Sequence, residues 1–233
     1  MLNRKTNKIF LCFIGIALYV YSNITIAGTA AIYDDPGLAT HQSGDNIEGY
    51  YYSSEGNSSC EFLFISNRKL ISSKTKSTLL LPAKIFFFSN GNNFLYSGRD
   101  KKFDTDGTLY LDGNSLALKS SKPLGGSCMF SGDPGTRFGS MIFSLRKTFP
   151  ALGIGIIKRK TFFYEEPGKH RRTGYLVQDD RIILIKKSSN FSYIKYVNPE
   201  LDVKDHFQIT TGWIRSEDIA NPFPADPLKE LKR

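Results

Sequence analysis

The sequence predicts an all-β protein: a disulfide-clamped antiparallel β domain, followed by a small β-barrel. Short runs of aromatic and β-branched residues recur along most of the chain, and clusters of glycine, asparagine and serine separate them. This alternation is typical of strands and turns in antiparallel sheets. Two cysteines also remain once an N-terminal export segment is set aside, which favours one disulfide.

The N-terminal segment has the pattern of a secretory signal peptide. Residues 1–8 carry three basic side chains and no acidic one, and an apolar run over residues 9–21 leads to small residues ending at Ala27. We therefore expect residues 1–27 to be a signal peptide that is cleaved after Ala27. A retained membrane anchor is the alternative, but the run is shorter than the roughly 18–20 residues that a spanning helix needs. Cys12 lies in this run without a lipobox before it, so we do not expect it to be lipidated.

Export limits which binding partners the positively charged protein can meet. Residues 1–27 hold three of the 31 basic residues and none of the 22 acidic ones, so their removal lowers the net charge from +9 to +6. We expect a periplasmic or extracellular protein without a stable membrane span and without a nucleic-acid partner. An anionic cell-wall polymer, an anionic membrane surface or an acidic protein could use the excess charge, and simple solubility also explains it.

Cys60 and Cys128 are the two cysteines outside the signal peptide. In an oxidising compartment they predict a structural disulfide, which would close a loop of about 70 residues and stabilise the fold by roughly 4 kcal/mol. A metal-binding or nucleophilic pair is the alternative, but neither cysteine has a neighbouring histidine or acidic pattern.

The first domain is predicted over residues 28–150. Residues 28–48 are expected to form a loosely ordered leading segment with a turn at residues 34–37. Strands are predicted from the apolar runs that follow, at residues 50–52, 60–65, 79–81, 85–88, 94–96, 109–111 and 116–118.

Two Asp-Gly pairs, at residues 106–107 and 112–113, predict tight turns with positive φ. A calcium loop is the alternative at residues 104–107, but the ligand spacing and the distal glutamate of such loops are missing. Residues 138–149 fit either a strand or a short helix, and Pro150 is expected to end this segment and to mark the domain boundary.

The second domain is predicted over residues 151–220, and a proline-rich mobile tail over residues 221–233. Five short strands with turns between them, the last of which runs into a helical turn at Ser216, describe a small closed barrel. The predicted strands cover residues 160–167, 174–177, 181–187, 191–197 and 210–214.

Within this domain the chain resembles the bacterial SH3-like (SH3b) domains of exported proteins over about 65 residues. The similarity rests on Phe-Tyr-x-x-Pro ending at Pro167, Tyr-Leu-Val-x-Asp-Asp ending at Asp180, a β-rich run, Tyr-x-x-x-Val ending at Val197, and Gly-Trp-Ile-x-x-x-Asp-Ile ending at Ile219. The chain departs from the family in a longer loop over residues 198–208 and in lacking a tryptophan near the fourth strand. The resemblance implies that Trp213 and Ile214 close the barrel and are structural.

The same resemblance implies binding rather than catalysis, with cell-wall peptide (peptidoglycan) or another exported protein as the ligand. An aromatic groove and the basic first loop would supply stacking and charge. Core packing of the aromatic residues and simple solvation of the loop are the alternatives. The candidate binding residues are Tyr164, His170, Arg171, Arg172, Tyr193 and Tyr196.

No catalytic constellation can be assembled from the sequence, so we expect neither an enzyme nor a cofactor or metal site. The three histidines, His41, His170 and His206, are isolated from one another, and no nucleophile, zinc or phosphate-loop motif occurs. Two functions remain as hypotheses. One is an exported binding protein with an SH3-like module, and the other is a periplasmic immunity or inhibitor protein that neutralises a toxin or a cell-wall hydrolase.

Overall fold

The computed structural model describes residues 28–55, 58–71, 73–74, 77–88, 93–124, 128, 142–199 and 208–232. The predicted signal peptide, with Cys12, lies outside these residues, and so does His206. The described part is all-β with two antiparallel sheets, as predicted.

The first sheet contains nine strands, and eight of them close into a barrel. Neighbouring strands pair in the order β1-β2-β3-β4-β6-β7-β8-β9, and β9 pairs back with β1. The short β5 pairs with β6 outside this ring. The strands are β1 (Gly28–Tyr33), β2 (Leu38–Ser43), β3 (Asn46–Glu55), β4 (Ser58–Asn67), β5 (Ser73–Lys74), β6 (Thr78–Phe86), β7 (Thr105–Asp112), β8 (Ser115–Ser120) and β9 (Ile142–Ala151).

Alternate residues of these strands point into the barrel and fill most of it with large apolar side chains. Phe62 and Phe64 of β4 lie in its centre and are almost completely buried. Gly49 of β3 makes room for one of them, because a Cβ atom there would lie 2.2 Å from the ring of Phe64. The barrel is therefore a packed core over most of its length.

The structure of the closed barrel shows that several expectations from the sequence were wrong. Residues 28–48 are not loosely ordered, because β1 lies between β2 and β9 and β2 lies between β1 and β3. Gly107 is within β7 rather than in a turn, and its lack of a side chain lets the backbone of Lys119 approach closely. Pro150 does not end the last strand, since β9 continues to Ala151.

The remaining local predictions had mixed outcomes. The second Asp-Gly pair forms the β7–β8 turn, with Gly113 at a φ of +54°. Residues 138–149 were ambiguous, and their described part is strand. The run at residues 94–96 is not a strand, and a 3-10 helix occupies Tyr96–Gly98 instead.

The predicted disulfide between Cys60 and Cys128 is present. Cys60 lies on β4 among the side chains of the barrel interior, and Cys128 packs against the same cluster. The bond thus joins the barrel wall to the segment that follows β8.

The second sheet has seven strands, in the order β12-β11-β15-β14-β13-β10-β16. All five predicted strands are found, and β15 pairs with β14 on one side and with β11 on the other. Closure of this sheet and its SH3-like order stay predictions. The strands are β10 (Gly153–Ile157), β11 (Thr161–Tyr164), β12 (Arg171–Leu176), β13 (Arg181–Ser188), β14 (Phe191–Val197), β15 (Ile209–Arg215) and β16 (Ile219–Ala220).

The predicted helical turn after Trp213 is the 3-10 helix Ser216–Asp218. Asp218 is buried, and its carboxylate accepts hydrogen bonds from the Thr161 hydroxyl at 2.8 Å and from the Arg159 guanidinium at 2.6 Å. These bonds fasten the end of β15 to the start of β11.

A shared hydrophobic core joins the two sheets. Outward-facing barrel residues such as Tyr50 and Leu63 pack against Ile156 and Ile183 of the second sheet. The chain passes from one sheet to the other around Leu152, close to the boundary predicted at Pro150, but the apolar surface between the sheets is common to both.

Residues 221–232 also belong to this arrangement, although we expected a mobile tail. Phe223 is buried, and its ring lies 6.1 Å from that of Phe86. The short helix α1 (Pro227–Leu231) then places Glu230 beside Tyr96, whose hydroxyl donates a hydrogen bond to the carboxylate at 3.4 Å. The apolar residues of this segment explain the packing, since they complete the shared core.

Candidate functional site

The outer side of the second sheet carries six aromatic side chains, which we call the aromatic face. Residues alternate between the two sides of a strand, and in β14 and β15 the buried positions Ile194 and Ile214 point inward. The intervening positions point outward, so β11, β12, β14 and β15 present aromatic residues on one side. The aromatic face consists of Phe162, Tyr164, Tyr175, Phe191, Tyr193 and Trp213.

Strand register brings these rings into pairs. Tyr193 is directly opposite Trp213 across β14 and β15, and their ring centroids are 5.3 Å apart. Tyr164 contacts Phe191 at 5.2 Å in an edge-on arrangement. Such pairs hold rings in fixed orientations, which lowers the entropy that the side chains lose when they bind a ligand.

Cationic side chains lie over the rings. The Lys186 ammonium is 5.1 Å from the ring centroid of Tyr193 and 5.1 Å from that of Trp213. The Arg171 guanidinium lies 3.0 Å from the centre of the Phe162 ring. These contacts are cation–π interactions, and they keep positive charge beside apolar surface without neutralising it.

Three of the six predicted binding residues, Tyr164, Arg171 and Tyr193, lie together on or beside the aromatic face. Sequence reasoning missed Phe162, Tyr175, Phe191 and Lys186. The signal that would have found them is the period-two alternation, which puts Phe162 with Tyr164 and Phe191 with Tyr193 on one side of their strands.

Trp213 and Ile214 were predicted to act together as barrel closure, but they lie on opposite sides of β15. Ile214 is fully buried in the core of the second sheet. Trp213 is half-buried, points outward and contacts Tyr193 and Lys186. The structural assignment of Trp213 stays a prediction, and its position also makes it available to a ligand.

His170 and Arg172 lie apart from the aromatic face. His170 is exposed in the turn between β11 and β12. Arg172 donates a hydrogen bond of 2.8 Å to the Thr211 carbonyl, and its guanidinium lies beside Gly212 on the inner side of the sheet. Arg172 therefore has a contact within the fold that the sequence did not suggest.

Tyr196 lies in a different place, a polar cleft between the barrel and the second sheet. The cleft has a volume of about 350 Å³, and Tyr50 and Tyr52 of the barrel line it opposite Tyr196. At its base Arg181, whose side chain is 10% exposed, donates a hydrogen bond of 2.9 Å to the Glu61 carboxylate. The Arg181 Nε atom is buried without a hydrogen-bond partner among the described residues.

Two adjacent carboxylates complete the cleft. Burial raises the pKa of Asp179, opposed by the nearby Arg181 and reinforced by Glu61. Burial also raises the pKa of Asp180, although the Val177 amide donates a hydrogen bond of 2.7 Å to its carboxylate. The cleft thus gathers more negative than positive charge, in contrast to the aromatic face.

Asp179→Asn is expected to raise the free energy of unfolding at pH 7 by less than about 1 kcal/mol, since its side chain is 43% exposed. A carboxyl whose pKa is raised by folding favours the folded state when protonated. Its contribution is fully present below the unfolded-state pKa and is lost as the pH rises through the folded-state pKa. Asparagine also accepts the positive φ of 75° at this position.

Urea denaturation of both proteins from pH 4 to pH 7 checks this expectation. The unfolding free energy of the wild type should fall more steeply as the pH rises than that of Asp179→Asn. Equal slopes would show that this carboxylate is solvated like one in the unfolded chain.

Neither site offers a metal centre: across the described residues, no group of three or more histidine, cysteine, aspartate and glutamate side chains is arranged to hold a metal ion. No described helix is long and apolar enough to span a membrane. Comparisons with protein-family models, curated proteins and solved structures gave no match for this chain.

Proposed function

We propose that this chain is an exported, non-catalytic binding protein whose SH3-like second sheet recognises cell-wall peptide through the aromatic face. The observation that carries the proposal is the set of six outward aromatic rings with Lys186 and Arg171 lying over them. The disulfide is compatible with export, because such bonds persist in oxidising compartments.

The chemistry of this face suits a ligand that is partly apolar and negatively charged. Ordered aromatic rings offer flat surfaces for apolar side chains and sugar rings, and the cations beside them can pair with carboxylates. Peptidoglycan presents both features, since its glycan strands carry short peptides that end in carboxylates. Tyr164, Tyr193 and Trp213 would supply contact area, and Lys186 and Arg171 would supply charge.

Lys186→Gln combined with Arg171→Gln is expected to weaken binding to purified peptidoglycan by about tenfold, if each cation contributes about 0.7 kcal/mol. The double variant should fold normally, because both side chains are exposed. Co-sedimentation with peptidoglycan at 50 and 150 mM salt measures the effect, and the wild-type affinity should fall more with salt than that of the variant.

Lys187→Gln is the matched control. Lys187 follows Lys186 on β13, is also exposed and pairs with the buried Ser192, whereas Lys186 pairs with the outward Tyr193. Its replacement removes one positive charge, as each substitution of the double variant does, and should leave retention unchanged. A loss of binding free energy in the control that is half the loss in the double variant would show that net charge alone explains the interaction, without a role for the aromatic face. Point variants are preferable to deletion of residues 151–233, since deletion would expose the shared core.

An immunity or inhibitor protein is the second candidate. Aromatic residues and arginine are the residue types that dominate protein–protein interfaces, and the aromatic face presents both on a rigid sheet. A wild type that does not sediment with peptidoglycan, but captures one exported toxin or hydrolase through Trp213 and Lys186, would favour this function over the first.

A further inference from the structure

The barrel has a cavity of about 240 Å³ at one end. The residues that line this cavity belong to other strands than those of the aromatic face. Inward residues of β1, β2 and β9 form its walls, and the β7–β8 turn borders its opening. We call this cavity the barrel mouth. It belongs to the closed sheet rather than to the surface between the sheets.

The cavity arises because side chains in this layer are small. Ala31 and Thr40 occupy inward positions here, whereas Phe62 and Phe64 fill the centre of the barrel. The lining is mixed: Ile47, Leu116 and Leu145 are apolar, and the Tyr33 and Thr40 hydroxyls are joined by a hydrogen bond of 3.2 Å. A pocket with an apolar wall and a few fixed polar groups is the usual form of a small-molecule site.

Arg68 gives the opening a charge. It is exposed, and it is the charged residue among those that line the cavity. Its guanidinium makes no ion pair or side-chain hydrogen bond with any other residue that the structure describes. The nearby acid Asp45 pairs with Lys69 at 3.4 Å instead. Arg68 is therefore available to bind a carboxylate at the entrance.

We propose that the barrel mouth binds a small amphipathic carboxylate, with its apolar chain among Ile47, Leu116 and Leu145 and its carboxylate at Arg68. The volume is about eight times the roughly 30 Å³ that one water molecule occupies in the liquid. Hexanoate, with eight non-hydrogen atoms, matches this capacity. The ligand class follows from the lining and does not depend on the function proposed for the aromatic face.

A chain-length series of straight-chain carboxylates tests the proposal. Binding of butanoate, hexanoate, octanoate and dodecanoate to the purified protein is measured by NMR titration of the amide signals. Affinity should rise by about fourfold for each buried methylene up to hexanoate or octanoate and then level off. The largest shifts should fall in β1 and β2.

Two variants locate the site. Arg68→Gln should weaken hexanoate binding by about fivefold and leave binding of neutral 1-hexanol unchanged. Ala31→Leu should fill the cavity floor and weaken both by at least tenfold, and Leu145→Phe provides the same test from a half-buried position if Ala31→Leu does not fold. Lys187→Gln is the charge control and should bind hexanoate like the wild type.

Affinity that keeps rising through dodecanoate would overturn the proposal, because it would indicate an open apolar surface. An equal loss in Lys187→Gln and Arg68→Gln would also overturn it, as would shifts confined to β14 and β15.

Discussion

Removal of the Cys60–Cys128 disulfide is expected to lower the free energy of unfolding by about 4 kcal/mol. The bond joins cysteines 68 residues apart, and the cross-link restricts the unfolded chain in proportion to the logarithm of that separation. Because most domains are stable by only about 5–15 kcal/mol, this loss is a large share of the total. Urea denaturation of the wild type and of Cys60→Ala/Cys128→Ala measures it.

Reduced wild type serves as the control for the alanine substitutions. Cys60 is buried in the barrel interior, so its replacement also removes packing atoms. Reduction leaves both side chains in place and should produce most of the same destabilisation. Equal urea midpoints for the oxidised and reduced proteins would show that the cross-link contributes nothing to the stability of the barrel.

Ile214→Ala is expected to destabilise the protein by about 2–5 kcal/mol, the usual cost of such a truncation in a core. Its side chain is 0% exposed and packs among Phe163, Ile194 and Leu184. Trp213→Ala should cost clearly less, although tryptophan is the larger residue, because the indole is half-buried on the outer side of the sheet. Comparing the two variants separates the stability contribution of the inward side chain of β15 from that of the outward side chain.

Denaturation should be followed by far-UV circular dichroism, since Trp213 is the only tryptophan and its replacement removes that fluorescence signal. Ile214→Ala should lower the urea midpoint and leave peptidoglycan sedimentation intact below it. Trp213→Ala should weaken sedimentation while the protein remains folded. A larger loss of stability for Trp213→Ala than for Ile214→Ala would restore the purely structural role that the sequence suggested.

The second sheet shows which structural features the local sequence pattern can predict and which it cannot. Five of its seven strands were predicted within a few residues, because apolar alternation and turn residues act locally. The same alternation predicts which residues share the aromatic face, since Tyr193 and Ile194 must point to opposite sides of their strand. It does not predict which strand lies beside β14. The Tyr193–Trp213 pair, whose members are 20 positions apart, could therefore not be foreseen.

Tyr196 illustrates the opposite case. In sequence it resembles Tyr193 and was grouped with it as a binding residue. In the structure it lines a cleft with Tyr50 and Tyr52, which are almost 150 residues earlier in the chain. Burial in this cleft, and the raised pKa of Asp179, result from the packing of the two sheets. No local property of residues 177–197 determines them.

The sequence by itself determined the all-β class, the pairing of Cys60 with Cys128 and the strand pattern of residues 160–214, because propensity, turn chemistry and a lone cysteine pair are properties of short segments or of composition. Only the tertiary structure decided that β1–β4 and β6–β9 close into a ring. Closure depends on hydrogen bonds between β1 and β9, more than 100 residues apart, and such contacts leave no local signal. The barrel mouth and the aromatic face depend on the same long-range pairing.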